Sequence, residues 1–349
     1  MLGTAIGAGI FSLPYVFSLA GVWLAGGGML LALATVLLVN LFYLKIISHV
    51  PGDHQLAGYG ERFFGKKGKV AGGLLLLTSC WGAVLAYIIL GSDFLSLLLG
   101  QSRSALAFLF WGWGTLFFWQ GLRKMSKTEA ILTLLLLILI LVLPFWGKNF
   151  WRKENLNFFP FSLRFWWGPM VFSLSATSVV PEVEELLRRQ RKLLIPVIIW
   201  GTVIPLFVYF LFAFTIWGIT GAATTADALS GLLPWSKTLV KVGAAIGFLA
   251  TFTSFLTLTD VIKETFQRDF SWREKTAKTG AVFLSFPAVF LSLEHFLPII
   301  SLTGALAVGG SGILIAVIFL RHFARRWEEK LAAFLVIFAF LGGIVSEFF

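Results

Sequence analysis

Apolar residues in this chain gather into runs of about twenty, the length needed to cross the hydrocarbon core of a bilayer, and short polar connections separate them. No other feature constrains the fold as strongly. Reading hydropathy and breaks gives spans at 2–20, 23–45, 70–93, 105–122, 128–146, 165–187, 193–217, 239–262, 276–293, 297–320 and 330–347. Eleven spans would use about 220 residues, which leaves little of a 349-residue chain for a soluble catalytic domain. Only 13% of the residues are charged, far below a soluble domain. The expected fold class is all-α, a polytopic membrane protein with eleven transmembrane helices in the plasma (inner) membrane.

The formal charge of +11 does not point to nucleic acid, because the basic residues lie between apolar runs and not on one soluble face. They read instead as topogenic. With the N-terminus in the cytoplasm, 21 of the 28 Lys and Arg fall in inner loops, among them Arg188, Arg189, Arg191, Lys192, Arg325 and Arg326. That split predicts N-terminus in and C-terminus out. Trp23, Trp146, Trp151, Trp166, Trp167, Trp217 and Trp235 fall at expected outer ends, and Trp119, Trp272 and Trp327 at inner ends, as interfacial belts do. His49–Gly65 is too polar to span and is expected to lie along the inner surface as a short helix. Cys80 is the single cysteine, so an intrachain disulfide is excluded. The first apolar run lacks a basic leader and a small-residue cleavage site, so it reads as a retained helix.

Two spans carry signals for interruption. In the first, Gly7 and Gly9 make unwinding cheap and Pro14 suits the first turn of a restarting helix or a kink. In the sixth, Ser173, Ser175, Thr177 and Ser178 precede Pro181. The two prolines are 167 residues apart, about half the length of spans one to ten. Spans one and six start on opposite sides, so two five-helix halves would be related by inversion: 1–147, then 163–320, with 321–349 as an extra helix in one transport domain. Paired interruptions at matching positions are the best sequence pointer to a transporter's binding site, since unwound backbone cannot face lipid and offers free amides and carbonyls to a ligand. Small residues in such spans also simply let helices approach closely.

The stretch Gly3-Thr4-Ala5-Ile6-Gly7-Ala8-Gly9-Ile10-Phe11, followed by Pro14, resembles the first helix of the amino acid–polyamine–organocation superfamily, nearest to its aromatic and hydroxy amino acid permeases. Phe172-Ser173-Leu174-Ser175 is similar to the unwound part of the sixth helix in LeuT-fold transporters. Ala250-Thr251-Phe252-Thr253-Ser254 looks like their eighth-helix sodium motif. The resemblance covers the whole chain in topology and these three stretches in motif. It implies that amides around Gly7, Ala8 and Gly9 receive a substrate carboxylate, and that carbonyls near Phe172, Ser173 and Ser175 receive the ammonium. Ser173, Ser175, Ala176 and Thr177 would leave room for a large side chain, and Tyr87 either touches the substrate or packs in the core. It further implies a sodium site built from carbonyls of Gly3, Ile6 and Ala250 and hydroxyls of Thr253 and Ser254, an all-oxygen set suited to a hard cation. Thr253 and Ser254 also read as ordinary interhelical hydrogen-bonding residues.

The functional expectation is therefore secondary active symport of a neutral amino acid with sodium, the resemblance suggesting an aromatic one, without any cofactor, nucleic acid or obligate protein partner. One coupling ion moving down 100 mV and a tenfold gradient supplies about 3.7 kcal/mol. Proton coupling or exchange is the alternative. It usually needs a deep titratable group, and the lysine that some relatives carry in span five is missing from Thr128–Trp146. Asp93 and Asp260 lie towards span ends, within reach of water or a basic neighbour. A channel would show polar rings or a filter sequence. An intramembrane enzyme would need deep catalytic pairs, whereas His49, His54, His295 and His322 sit at span ends or in loops. One departure stands out: Met1 lies six residues before Gly7, a rise of about 9 Å against the roughly 15 Å of half the hydrocarbon core. Either the start lies further upstream or the inner gate is incomplete.

Overall fold

The computed structural model describes residues 6–120, 126–157, 165–289 and 296–348, and all regular structure among them is helical. We label the helices α1 Gly9–His49, α2 Leu56–Leu99, α3 Arg103–Trp119, α4 Ser126–Gly147, α5 Trp167–Leu174, α6 Val180–Leu187, α7 Leu194–Thr220, α8 Lys237–Arg268, α9 Glu274–Ser285, α10 Phe296–Leu302, α11 Gly309–His322 and α12 Trp327–Ser346. Among the described residues, six segments are long and apolar enough to cross a membrane: α1, α2, Arg191–Ala223, α8, Phe296–His322 and α12. The protein is a multi-pass membrane protein.

The 41 residues of α1 would measure about 60 Å if straight, twice a hydrocarbon core. They are not one rod. Gly21, at φ 73° and ψ 163°, departs from helical geometry between the expected spans 2–20 and 23–45, a conformation that only a residue without Cβ adopts freely. Gly65 does the same within α2, separating Leu56–Phe64 from the span that follows. The short helix anticipated before span three thus forms, but Leu56–Gly60 is buried, not spread on a surface. It folds back on the span so closely that a Cβ on Gly72 would meet the Leu56 carbonyl.

The interruption expected near Pro181 is present. α5 ends at Leu174, Ser175 is extended at φ −77° and ψ 121°, a single 3₁₀ turn covers Thr177–Val179, and Pro181 sits in the first turn of α6 where its missing amide costs nothing. Of the two roles expected for Pro14, the first-turn position is not found: α1 starts at Gly9, so Pro14 lies in its second turn.

α2 packs along α8 and α1 along α7, and these pairs form the centre of the bundle. Two expected interfacial tryptophans also need correction: Trp167 and Trp217 are fully buried, against Phe340 and Phe17. Hydropathy places a tryptophan near a span end, whereas neighbouring helices decide whether that end is covered. Trp23 and Trp327 are exposed, at 77% and 70%, as a lipid-facing belt requires. The end of α6 is latched by charge: Arg188 pairs with Asp53 and Glu184, and Arg268 of α8 with Glu185 and Glu264. Just past α8, burial pushes the Asp269 carboxyl above its ordinary range, while the amides of Gln55 and Gly58 oppose the shift by donating to it.

Candidate functional site

The start of α1 and the end of α5 meet. A Cβ on Gly9 would fall 2.7 Å from Ser173 Cα, closer than side chains tolerate, so the two interrupted segments touch backbone to backbone at this glycine. Two residues earlier, a Cβ on Gly7 would lie 2.9 Å from the Tyr87 hydroxyl of α2. A helix beginning at Gly9 leaves its first amides short of intrahelical partners, and one ending at Leu174 its last carbonyls, although the Phe11 amide donates to the Ala8 carbonyl and the Ser175 amide to those of Val171 and Phe172. Partial positive and partial negative ends therefore face the same place.

That place is a cavity of about 60 Å³. Gly7, Gly9, Tyr87, Phe172, Ser173, Ser175 and Thr177 all line it, and among the described residues its lining holds no Asp, Glu, Lys or Arg. Ala8 and Ala176 are buried beside it without contributing to the lining. Ser79, Cys80, Ser178, Ser311 and Val308 also line it, as do Tyr43, Gln55, Leu56, Leu76, Ala83 and Leu258. Val308 ends the π-helical segment Thr303–Val308, which links α10 to α11. The lining mixes hydroxyls and backbone with aliphatic side chains and carries no full charge, which suits a zwitterion held by dipoles.

Hydroxyls hold the break open. Ser173 Oγ donates to the Pro169 carbonyl at 2.6 Å, and Ser175 Oγ donates to Thr177 Oγ1 at 3.3 Å. Thr177 Oγ1 donates in turn to Asn40 Oδ1 at 2.8 Å, and Asn40 Nδ2 reaches Thr202 Oγ1 at 3.4 Å. Asn40 is fully buried, so this chain ties the break to α1 and α7. Sequence reasoning passed over Asn40, although a lone asparagine in an apolar span is a functional signal. It also passed over Tyr209, whose hydroxyl donates to the Ser173 carbonyl at 3.0 Å and so occupies part of one carbonyl assigned to the substrate ammonium.

The residues of the expected cation site stand apart from this cavity. Ile6, Ala250, Thr253 and Ser254 are buried and none lines it, and Gly3 lies outside the described residues. Thr253 Oγ1 donates to the Ala250 carbonyl at 3.1 Å. Three residues before Ala250, a Cβ on Gly247 would lie 3.1 Å from the Phe11 ring, so α8 passes close to the start of α1. Asp93 and Asp260 do find basic neighbours, Arg103 at 2.9 Å and Lys263. The Asp93–Arg103 pair lines a second, larger cleft of about 670 Å³ with Tyr15, Asp227 and Phe296.

A family model described as the tryptophan/tyrosine permease family matches residues 1–345. No curated protein matches the chain. Among solved structures, the crystal structure of MhsT in complex with L-phenylalanine has a TM-score of 0.66 and 15% sequence identity, covering 99% of this chain and 96% of that chain. At that identity the likeness is one of fold, the LeuT-type helical architecture.

Proposed function

The chain belongs to the tryptophan/tyrosine permease family, and from that premise we propose that it carries an aromatic amino acid across the membrane together with sodium, by alternating access. The observation that supports this most is the neutral cavity at the α5–α6 break, where the start of α1 and the end of α5 converge. The substrate carboxylate lies against the amides of Gly7, Ala8 and Gly9. The ammonium lies against the carbonyls of Phe172 and Ser173 and the Ser175 hydroxyl, and the side chain extends past Ala176 and Thr177 towards Tyr87. Phenylalanine bound to a protein of the same fold supports an aromatic side chain.

Sodium is held by carbonyls of Gly3, Ile6 and Ala250 and by the hydroxyls of Thr253 and Ser254. The Thr253 hydroxyl, while donating to Ala250, keeps lone pairs for a cation. An ion there pins α8 to the start of α1 and orders the amides that meet the carboxylate, which is coupling by linkage. The larger cleft at Asp93 and Arg103 is the outer approach. Eleven spans, two inverted halves at 1–147 and 163–320, a further helix at 321–349, a cytoplasmic N-terminus and an outer C-terminus complete the reading.

Counterflow in proteoliposomes tests it. Labelled tryptophan, tyrosine or phenylalanine should exchange against the unlabelled amino acid, and a sodium gradient should drive accumulation. Uptake that ignores sodium and follows a proton gradient replaces the coupling ion, and failure to exchange any of the three removes the substrate class.

A further inference from the structure

We propose that Glu347 is a positioning residue for this substrate site, clamping α5 from the end opposite the cavity so that its terminal carbonyls stay aimed inward. The inference rests on the transport reading above.

Glu347 follows α12 and is only 6% exposed. Its Oε1 accepts from the Gly168 amide at 2.6 Å, and the amides of Phe165 and Trp167 also donate to the carboxylate. Its Oε2 accepts from the Ser301 hydroxyl of α10. Among the described residues no Lys, Arg or His pairs with it. The carboxylate is held by amides at the start of a helix, where the macrodipole favours a negative charge, and by one hydroxyl. Adjacent contacts repeat the link: Trp166 Nε1 donates to Ser346 Oγ at 3.1 Å, and the Trp167 ring covers Gly343 with no space left for a Cβ.

Both partners of the carboxylate lead to the cavity. α5 is eight residues long, about 12 Å, so a tilt at Gly168 is carried rigidly to Phe172 and Ser173. Ser301 lies two residues before the π-helical segment whose last residue, Val308, is in the cavity wall. A Cβ on Gly168 would meet Ser301 Cα at 2.7 Å, so the two helices also touch directly beneath the carboxylate. One side chain thus sets the relation between two walls of the site without touching a ligand.

Replacing Glu347 by Ala and by Gln tests this, in full-length protein reconstituted at matched amounts of folded material. Glu347→Ala should raise the counterflow KM roughly tenfold with little change in maximal rate, since a lost charged hydrogen bond is worth about that factor. It should also speed hydrogen exchange at the amides of 167–174. Glu347→Gln keeps an acceptor for Gly168 and should recover most of the affinity and protection. An unchanged KM in Glu347→Ala overturns the proposal, as does a fall in yield or rate alone. If the wild type shows no counterflow, the transport reading fails, and amide exchange still decides the clamp: unaltered protection in Glu347→Ala overturns it.

Discussion

The two ends of the α5–α6 interruption are built from different chemistry. At the break, Ser173, Ser175, Thr177 and Asn40 exchange neutral hydrogen bonds, and the adjoining cavity wall carries no ionised side chain among the described residues. One short helix away, Arg188 at the end of α6 pairs with Asp53 and with Glu184 of its own helix, and Arg268 of α8 pairs with Glu185 of α6 and with Glu264 of its own helix. The difference teaches a division of labour. Full charges drawn away from water carry a heavy desolvation cost, whereas helix termini present partial charges already held in place. At the wet end, ion pairs hold parts together yet separate cheaply, because water replaces each partner. A fixed, neutral binding end and a releasable, charged latch suit a segment that must both bind and move.

The largest effect that would break this comparison is expected at Gly9. Gly9→Val should abolish counterflow, because even a Cβ meets the Ser173 backbone and a branched side chain adds to the clash. Gly7→Ala meets only the Tyr87 hydroxyl, the far end of a side chain that can shift, so transport should persist with a weaker KM. Normal exchange by folded Gly9→Val would remove the backbone apposition on which the neutral end depends.

Next in size is the cation site. Thr253→Ala combined with Ser254→Ala should abolish the rise in substrate affinity with sodium, measured by binding at fixed ionic strength, while sodium-free affinity stays near wild type. Retained sodium dependence would place the ion elsewhere.

The smallest effects sharpen the latch. Arg268→Ala leaves a mostly buried Glu264 without its ion-pair partner and should lower stability by roughly 1–3 kcal/mol and alter transport rate more than KM. Arg188→Ala removes a salt-screened pair with exposed Asp53 and leaves buried Glu184 without its partner, but at a half-exposed guanidinium, so its loss should be smaller than that of Arg268→Ala and partly salt-sensitive. A larger loss in Arg188→Ala than in Arg268→Ala, read by thermal unfolding, would reverse the assignment of the tighter half of the latch.

Much of this site is legible in the sequence, for local reasons. Gly7, Gly9 and Pro181 alter backbone preference where they stand, and Ser173, Ser175 and Thr177 compete with helical hydrogen bonds over a few residues. Seven residues singled out near those breaks therefore line one cavity. Asn40 and Tyr209 were not legible as partners, because Asn40 meets Thr177 from 137 residues away and Tyr209 meets Ser173 from 36.

The sequence by itself determined that this is a helical membrane protein with interrupted segments, since solvation by lipid and backbone propensity are set residue by residue. Only the tertiary structure decided which interruptions meet. It set Gly9 against Ser173, sank Trp167 and Trp217 into the core instead of the interface, and brought Glu347 onto the Gly168 amide. Those contacts depend on how whole helices pack, and packing joins positions whose separation along the chain carries no trace of their proximity.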